Sequence, residues 1–435
     1  MAQRAIDLKR LEPDFSWSFS DLTAQQTGYI THCYHRYPAK FIPQLPARLI
    51  REHSAEGDVV LDPFMGSGTT VVEALVAGRR ACGIDINPAA VIASRAKASP
   101  VEPGHLRAAI TDFDEKLARV EDEGSSLFTL PDPQLPSNQD RLDFWFPRDQ
   151  QRRLGIVLAL IERTKDMAVR RFLRCTFSHV LKTVSYWLMK SSKPTRSKVK
   201  MANGVPHPVA PFRRHLRKMV RANAALWGVL PESSRGPDTA DVRRGDARRL
   251  PWPNAHVDLV VTSPPYVTSY EYADLHQLTT LWLGDLTELA VAKDQFIGSA
   301  AARSRSNAEA DSDLGRQIVA DLRLRSAAKA EEARQYFLDM NDVFRECHRV
   351  LKPGGVIANV IGNTSLEGVE ILNAQVHAEL KHSLGFRLVA TVKRIIPSKT
   401  LPQVRDPKTG KFTSTLAGSV HAYPEEFILI FRKQG

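Results

Sequence analysis

The segment DVVLDPFMGSGTTVVEALVAGRRACGIDINP, residues 58 to 88, constrains the fold more than any other stretch of this chain. Asp58 to Asp62 is a short run of apolar, largely β-branched residues closed by Pro63 and a glycine-rich turn, which predicts a strand buried on both faces. Thr69 to Gly78 carries apolar residues at helical spacing and stops at a glycine, and Ala81 to Ile86 is a second strand closed by Asn87 and Pro88. Strand, helix and strand joined by short turns make a βαβ unit, which commits the chain to a parallel sheet with right-handed crossovers.

Further strands are expected at 242–247, 257–261, after Gly355, at 386–396 and at 426–432, which gives seven, the last two as an antiparallel pair. Between the second and third strands the period becomes helical, with helices expected near 104–120, 149–165, 167–190 and 211–228. Helices are also expected near 271–283 and 331–350, and LKPGG, Leu351 to Gly355, reads as a structural stop before a strand. At 435 residues the chain exceeds an average domain of roughly 150, so a fold with a large insertion is the natural organisation. The expected parts are an N-terminal segment, 1–50; a first α/β half, 51–100; a helical insertion, 101–240; and a second α/β half, 241–435.

The chain has a net charge of +12, and its placement is informative. Residues 141–221 hold 20 Lys plus Arg against four acids, a net of +16, so the rest of the chain sums to −4. Concentrated positive charge inside the helical insertion points to a polyanion, because cations that neutralise phosphates release counterions. Lys193, Arg196, Lys198, Lys200, Arg213, Arg214, Arg217 and Lys218 are the candidate nucleic-acid contacts. The four cysteines stand far apart without paired spacing, so neither a metal site nor a disulfide framework is expected. No apolar run reaches the roughly 18 residues of a membrane span, and the charged N-terminus does not read as a secretion signal, so a cytoplasmic location is expected.

Two clusters carry candidate chemistry. In DPFMGSGTT, Gly66 and Gly68 lie between a strand and a helix, where absence of a Cβ lets the backbone run close beneath a ligand. The second strand ends in Asp85, 23 residues after Asp62, the spacing of a carboxylate that accepts from ribose hydroxyls, and the third strand leads to Asp246 on the same edge. In VDLVVTSPPY, Ser263, Pro264, Pro265 and Tyr266 follow the fourth strand. A nucleobase amine is a poor nucleophile because its lone pair is delocalised into the ring. A Ser263 hydroxyl and a Pro264 carbonyl that both accept from the amine shift it toward tetrahedral geometry, while Tyr266 offers a face for stacking.

These motifs resemble those of the S-adenosylmethionine-dependent DNA amino-methyltransferases. The resemblance covers about residues 30–99 and 240–435 and implies a Rossmann-like, seven-stranded methyltransferase sheet that binds S-adenosyl-L-methionine. It implies that Phe64, Gly66, Ser67, Gly68, Thr69 and Thr70 cradle the methionine part, that Asp62 faces the amino group, and that Asp85 and Asp246 face the ribose and the adenine. HRYPAKF, His35 to Phe41, is similar to the family's N-terminal cofactor motif and adds Tyr37, Lys40 and Phe41. The SPPY form resembles the N4-cytosine members, whereas N6-adenine members more often carry Asp or Asn in place of Ser263. The implied partner is duplex DNA with the target base flipped out, together with a possible cognate restriction endonuclease that acts on the same site without a stable complex. An N6-adenine enzyme, an RNA base methyltransferase and a non-catalytic binding protein remain as alternatives. Tyr270, Tyr272 and His276 either line the base pocket or pack. Lys399, Arg405, Lys408 and Lys411 form a basic loop that can meet phosphates, and residues 290–330 are a second candidate for target recognition.

Overall fold

The computed structural model describes residues 8–38, 40–121, 130–191, 193–236, 239–267, 272–284, 295–298, 308–396, 404–405, 412–413, 420–421 and 425–435. The expected α/β architecture is present as a seven-stranded sheet. Its strands are β1 (Val59–Asp62), β2 (Arg80–Asp85), β3 (Ala240–Arg244), β4 (Val257–Thr262), β5 (Leu351–Ile361), β8 (Phe386–Ile395) and β12 (Glu425–Lys433). The order is β3-β2-β1-β4-β5-β12-β8, and only β12 runs antiparallel to its neighbours. A hairpin of β6 (Thr364–Leu366) and β7 (Val369–Ile371) and a small sheet of β9 (Val404–Arg405), β10 (Phe412–Thr413) and β11 (Val420–His421) stand apart from it.

The central strands are buried on both faces, as a continuous apolar run requires. In β1, Val59 and Leu61 join one apolar layer and Val60 joins the opposite one. The second layer is closed by α1 (Gln44–His53), α2 (Thr69–Val76) and α3 (Pro88–Ala98), and the first by α12 (Asp313–Arg323), α13 (Ala327–Val350) and α14 (Asn373–Ser383). Among the described residues no helix is long and apolar enough to cross a membrane.

The segment between β2 and β3 contains α4 (Pro103–Glu121), α5 (Gln139–Trp145), α6 (Arg148–Glu162), α7 (Met167–Val180), α8 (Lys198–Asn203) and α9 (Val209–Val229). These helices build an apolar cluster around Phe113, Trp145, Phe172 and Phe212. Tyr34 enters this cluster from the N-terminal segment, and Leu278, Leu281 and Trp282 enter it from the chain after β4. The helical layer therefore shares its core with the segments flanking both sequence motifs.

Three local expectations are revised. The helix expected over 167–190 ends at Val180, and the chain folds back through an antiparallel bridge between Trp187 and Arg196. The Lys200 amine stabilises this exit by donating to the carbonyls of Lys182, Thr183 and Ser185, which no further helical turn satisfies. The helix expected over 271–283 is interrupted at His276 into α10 (Tyr272–Leu275) and α11 (Gln277–Leu283). The fifth strand begins at Leu351, ahead of Gly354 in its left-handed conformation (φ +76°), and its pairing with β4 is irregular at Val257 to Leu259.

Asn223 ties the two ends of the helical layer together. From α9 its amide donates to the Val101 carbonyl at 2.6 Å and accepts from the Val101 N–H at 3.0 Å, with the side chain buried. Replacing it by alanine leaves two buried main-chain groups without partners, so Asn223→Ala should lower the unfolding free energy by about 2 kcal/mol in a urea titration.

Candidate active site

The glycine loop leaves β1 at Asp62, whose carboxylate is turned inward. One oxygen accepts from the Phe64 N–H at 3.0 Å and the Thr262 hydroxyl at 2.8 Å, and the other accepts from the Thr70 hydroxyl at 2.8 Å. Asp62 thus connects the loop, the first turn of α2 and the end of β4, and burial raises its pKa to about 6. Gly68 caps α2 at φ +76°, and a Cβ there would lie 2.9 Å from the Ser94 Cβ on α3, so the position admits only glycine. The Ser94 hydroxyl donates to the Gly66 carbonyl at 2.9 Å and fixes the loop from below. Thr69 and Ser67 are buried, and the Ser67 hydroxyl has no hydrogen-bond partner among the described residues. Phe64 is half-buried at the edge of the apolar layer that also receives Tyr266.

The acidic strand tips converge on this loop. Asp85 accepts from the Gly66 N–H at 2.9 Å and the Asn87 N–H at 2.8 Å, and burial raises it to about 6. Gly245 donates from its N–H to the Asp85 carbonyl at 3.1 Å, which brings Asp246 beside Asp85. Asp246 is less free than the sequence suggested. The Arg248 guanidinium approaches both of its oxygens and also donates to Asp339 at 2.8 Å. Arg248 was legible two positions after Asp246, but its second partner comes from α13 and has no local signal.

The HRYPAKF segment lies against the loop. A Cβ on Gly66 would stand 3.3 Å from the Tyr37 ring, and Tyr37 stacks on His276 with ring centroids 4.6 Å apart. Glu73 on α2 anchors the approach to this segment by accepting from the Tyr29 hydroxyl at 2.6 Å and pairing with His32 at 2.6 Å. Lys40 donates instead to the His32 carbonyl at 3.1 Å, and Phe41 packs with the α1 side of the sheet. His35 bonds Ser178 of α7 at 2.8 Å, and Ser178 bonds Thr279 of α11 at 2.7 Å. His276 is buried and held well below the usual histidine range by desolvation and by His35 and Lys182, so it stacks on Tyr37 as a neutral ring. Tyr270 lies outside the described residues.

After Thr262 the chain presents SPPY at the end of β4. No hydrogen bond of the described residues uses the half-buried Ser263 hydroxyl. The Pro265 carbonyl accepts from the Tyr336 hydroxyl at 2.9 Å. The Tyr266 hydroxyl donates to Glu426 and accepts from the Gly362 N–H, each at 3.2 Å, which fixes the ring beside the sheet. Phe64 of the glycine loop and Thr262, the residue just before Ser263, therefore share one carboxylate.

The candidate DNA contacts divide. Lys193, Lys198, Arg214, Arg217 and Lys218 are exposed. Lys200 is committed to main-chain carbonyls, Arg213 to Asp114 at 2.6 Å, and Arg196 lies over the rings of Phe144 and Tyr186. These three hold the helical layer together. Lys399, Lys408 and Lys411 lie outside the described residues, and Arg405 lies in β9.

The family model described as DNA methylase, of the N6/N4 methyltransferases, matches residues 6–95 and 257–435. The chain belongs to the N6/N4 DNA methylase family. The match spans both motif clusters and passes over residues 96–256 of this methylase, which hold α4 to α9 and β3. Type II methyltransferase M.MvaI of Kocuria varians is 26% identical over 419 residues, covering 91% of this chain and 90% of its own. DNA adenine methyltransferase YhdJ of Escherichia coli is 42% identical over 75 residues, 17% of this chain and 24% of its own. A solved SAM-dependent methyltransferase from Methanosarcina mazei is 11% identical over 89% of this chain and 97% of its own, with a TM-score of 0.32. This methylase is a DNA methyltransferase of the amino-methylating group.

Asp62 and Asp85 of the methylase both have folded pKa values above the ordinary 3.8, so the folded state takes up protons first as pH falls. Their contribution to stability is complete below about pH 4 and is lost as pH rises through about 6. Asp85→Asn should remove part of that slope, so urea titrations between pH 4 and 7 should show a flatter stability profile than the parent protein.

Proposed function

We propose that the protein transfers a methyl group to the exocyclic N4 amine of a cytosine flipped out of duplex DNA, at a specific sequence, as in type II modification. The observation that carries this reading is the 2.8 Å bond from Thr262 to Asp62, because it joins the SPPY turn to the glycine loop through one buried carboxylate. The methyl donor is S-adenosylmethionine, which when bound supplies an electrophilic methyl group on a sulfonium. The loop residues fit such a ligand. Among the described residues the buried Ser67 hydroxyl and the buried Asn87 amide nitrogen next to Asp85 have no partner, and the loop is kept free of side-chain bulk at Gly66 and Gly68.

In this reading Tyr37, Phe64, Gly66, Ser67, Gly68 and Thr69 hold the methionine end, Asp85 accepts from the ribose, and Asp246 contacts the adenine from its pairing with Arg248. Asp62 and Thr70 act by shaping the loop. The Ser263 hydroxyl and the Pro264 carbonyl accept from the target amine and turn its lone pair toward the methyl group, while Tyr266 stacks on the base. The extra proton leaves the amine after attack, so no strong general base is required. Serine at 263 favours cytosine. Mass spectrometry of nucleosides from DNA treated with the enzyme should give N4-methylcytosine, and N6-methyladenine would overturn the base assignment. Ser263→Ala should lower turnover about 10- to 100-fold, and undiminished turnover would remove the serine role.

The exposed cations of the helical layer are proposed to bind DNA phosphates. The turn that carries Lys190 and Lys193 also exposes Leu188 and Met189, and α8 exposes Val199 and Met201, so charge and apolar surface alternate there. Reversing charge at Arg214, Arg217 and Lys218 together should weaken duplex binding and reduce the slope of log affinity against log salt by about 0.9 for each lost contact. Cofactor binding should persist, and an unchanged DNA affinity would refute the assignment. A restriction endonuclease acting on the same site, without a stable complex, is the partner this activity implies.

A further inference from the structure

The SPP turn offers few handles by which a protein can hold it. Pro264 and Pro265 have no N–H, so the two prolines are held only through their carbonyl oxygens, their ring packing and the residues that flank them. On the upstream side Thr262 is bonded to Asp62 at 2.8 Å, and on the downstream side the Tyr336 hydroxyl donates to the Pro265 carbonyl at 2.9 Å. Ser263 and Pro264 lie between these two points. Tyr266 is fixed in turn through its hydroxyl by Gly362 and Glu426.

Tyr336 lies on α13, and behind it a buried polar series runs across the protein. His377 of α14 places Nε2 3.1 Å from the Tyr336 hydroxyl. The neutral His377 ring carries its one hydrogen on Nδ1, which faces an acceptor oxygen, so Nε2 stands beside the Tyr336 hydroxyl as an acceptor, farther from it than the Pro265 carbonyl. The other ring nitrogen lies 3.1 Å from the Asn359 side chain on β5, and Lys381 donates to the same Asn359 oxygen at 2.7 Å. Tyr336 is 1% exposed and the other three are fully buried, so water does not replace these bonds when one is lost. A phenylalanine would fill the same space against Phe337 and the rest of the apolar layer, and the hydroxyl is the part that packing does not require.

We infer that Tyr336 is a positioning residue for methyl transfer, which acts by donating to the Pro265 carbonyl and so fixing the Ser263–Pro264 acceptor pair. This rests on the reading of Ser263 to Tyr266 as the transfer site. It assigns a role to a residue outside the proposed contacts with base and cofactor.

The test is steady-state and single-turnover methylation of duplex DNA by Tyr336→Phe beside the parent enzyme. The expected result is a fall in kcat of about tenfold, the effect of one buried hydrogen bond, with KM for DNA and cofactor affinity each held within about twofold. In a Ser263→Ala background the same change should cost much less, because the group being positioned is gone. His377→Gln, which moves the polar group behind the Tyr336 hydroxyl, should show a smaller kcat loss of the same pattern and stands in if Tyr336→Phe does not fold. Parent-like kcat in a folded Tyr336→Phe enzyme would overturn the inference. So would a loss shared equally by cofactor affinity, or full additivity with Ser263→Ala, since either marks a merely structural role. A parent enzyme that methylates no nucleic acid would instead overturn the transfer-site reading and this inference with it.

Discussion

The architecture of the site depends on one buried carboxylate. Asp62 lies at the end of β1, where an ionised group is costly, and three donors from three elements offset that cost: the Phe64 N–H of the loop, Thr70 of α2 and Thr262 of β4. Because the three donors are spread over the loop, the following helix and the neighbouring strand, none of the three can shift without leaving the charge underpaired. Two motifs 200 residues apart in the chain therefore keep a fixed relation at the sheet edge. The rise of the Asp62 pKa to about 6 reflects the remaining cost of burial.

The helical layer is integrated with this centre. His35 of the N-terminal motif, Ser178 of α7 and Thr279 of α11 form one hydrogen-bonded series, and Trp145 of α5 bonds Gln277 of α11 at 3.1 Å. Trp282 packs edge-on against Phe146 and Phe177. His179 and His215 stack at 3.5 Å within the same junction, and desolvation lowers both, so they pack as neutral rings. The same packing explains why several of the basic residues of 141–221 face inward: a helical layer sharing a core with its neighbours needs cations to satisfy helix ends and acidic partners.

The glycine loop, the strand ends and SPPY were legible because each is a local pattern set by steric rules: glycine where φ is positive, proline where a strand stops, carboxylates at strand tips. The series behind Pro265 was not legible. Tyr336, His377, Asn359 and Lys381 lie on two helices and a strand, each in a run that reads as ordinary apolar packing. The pairing of Arg248 with both Asp246 and Asp339 was half hidden for the same reason, one partner being local and the other 91 positions away. Charge count was also an incomplete guide, since Lys200, Arg196 and Arg213 differ from their exposed neighbours only in what the fold puts beside them.

The sequence alone determined the parallel sheet, the family and the two clusters of chemistry, because these follow from periodicity and from residue types that backbone geometry permits at few other places. Tertiary structure decided which of those residues hold the site together and which stand open to a ligand. It turned Asp62 inward, committed Arg248 to Asp246 and left the Ser263 hydroxyl out of the hydrogen bonds of the described residues. The physical reason is that a buried polar group takes whichever partner removes its desolvation cost, and that partner is set by packing between elements distant in the chain.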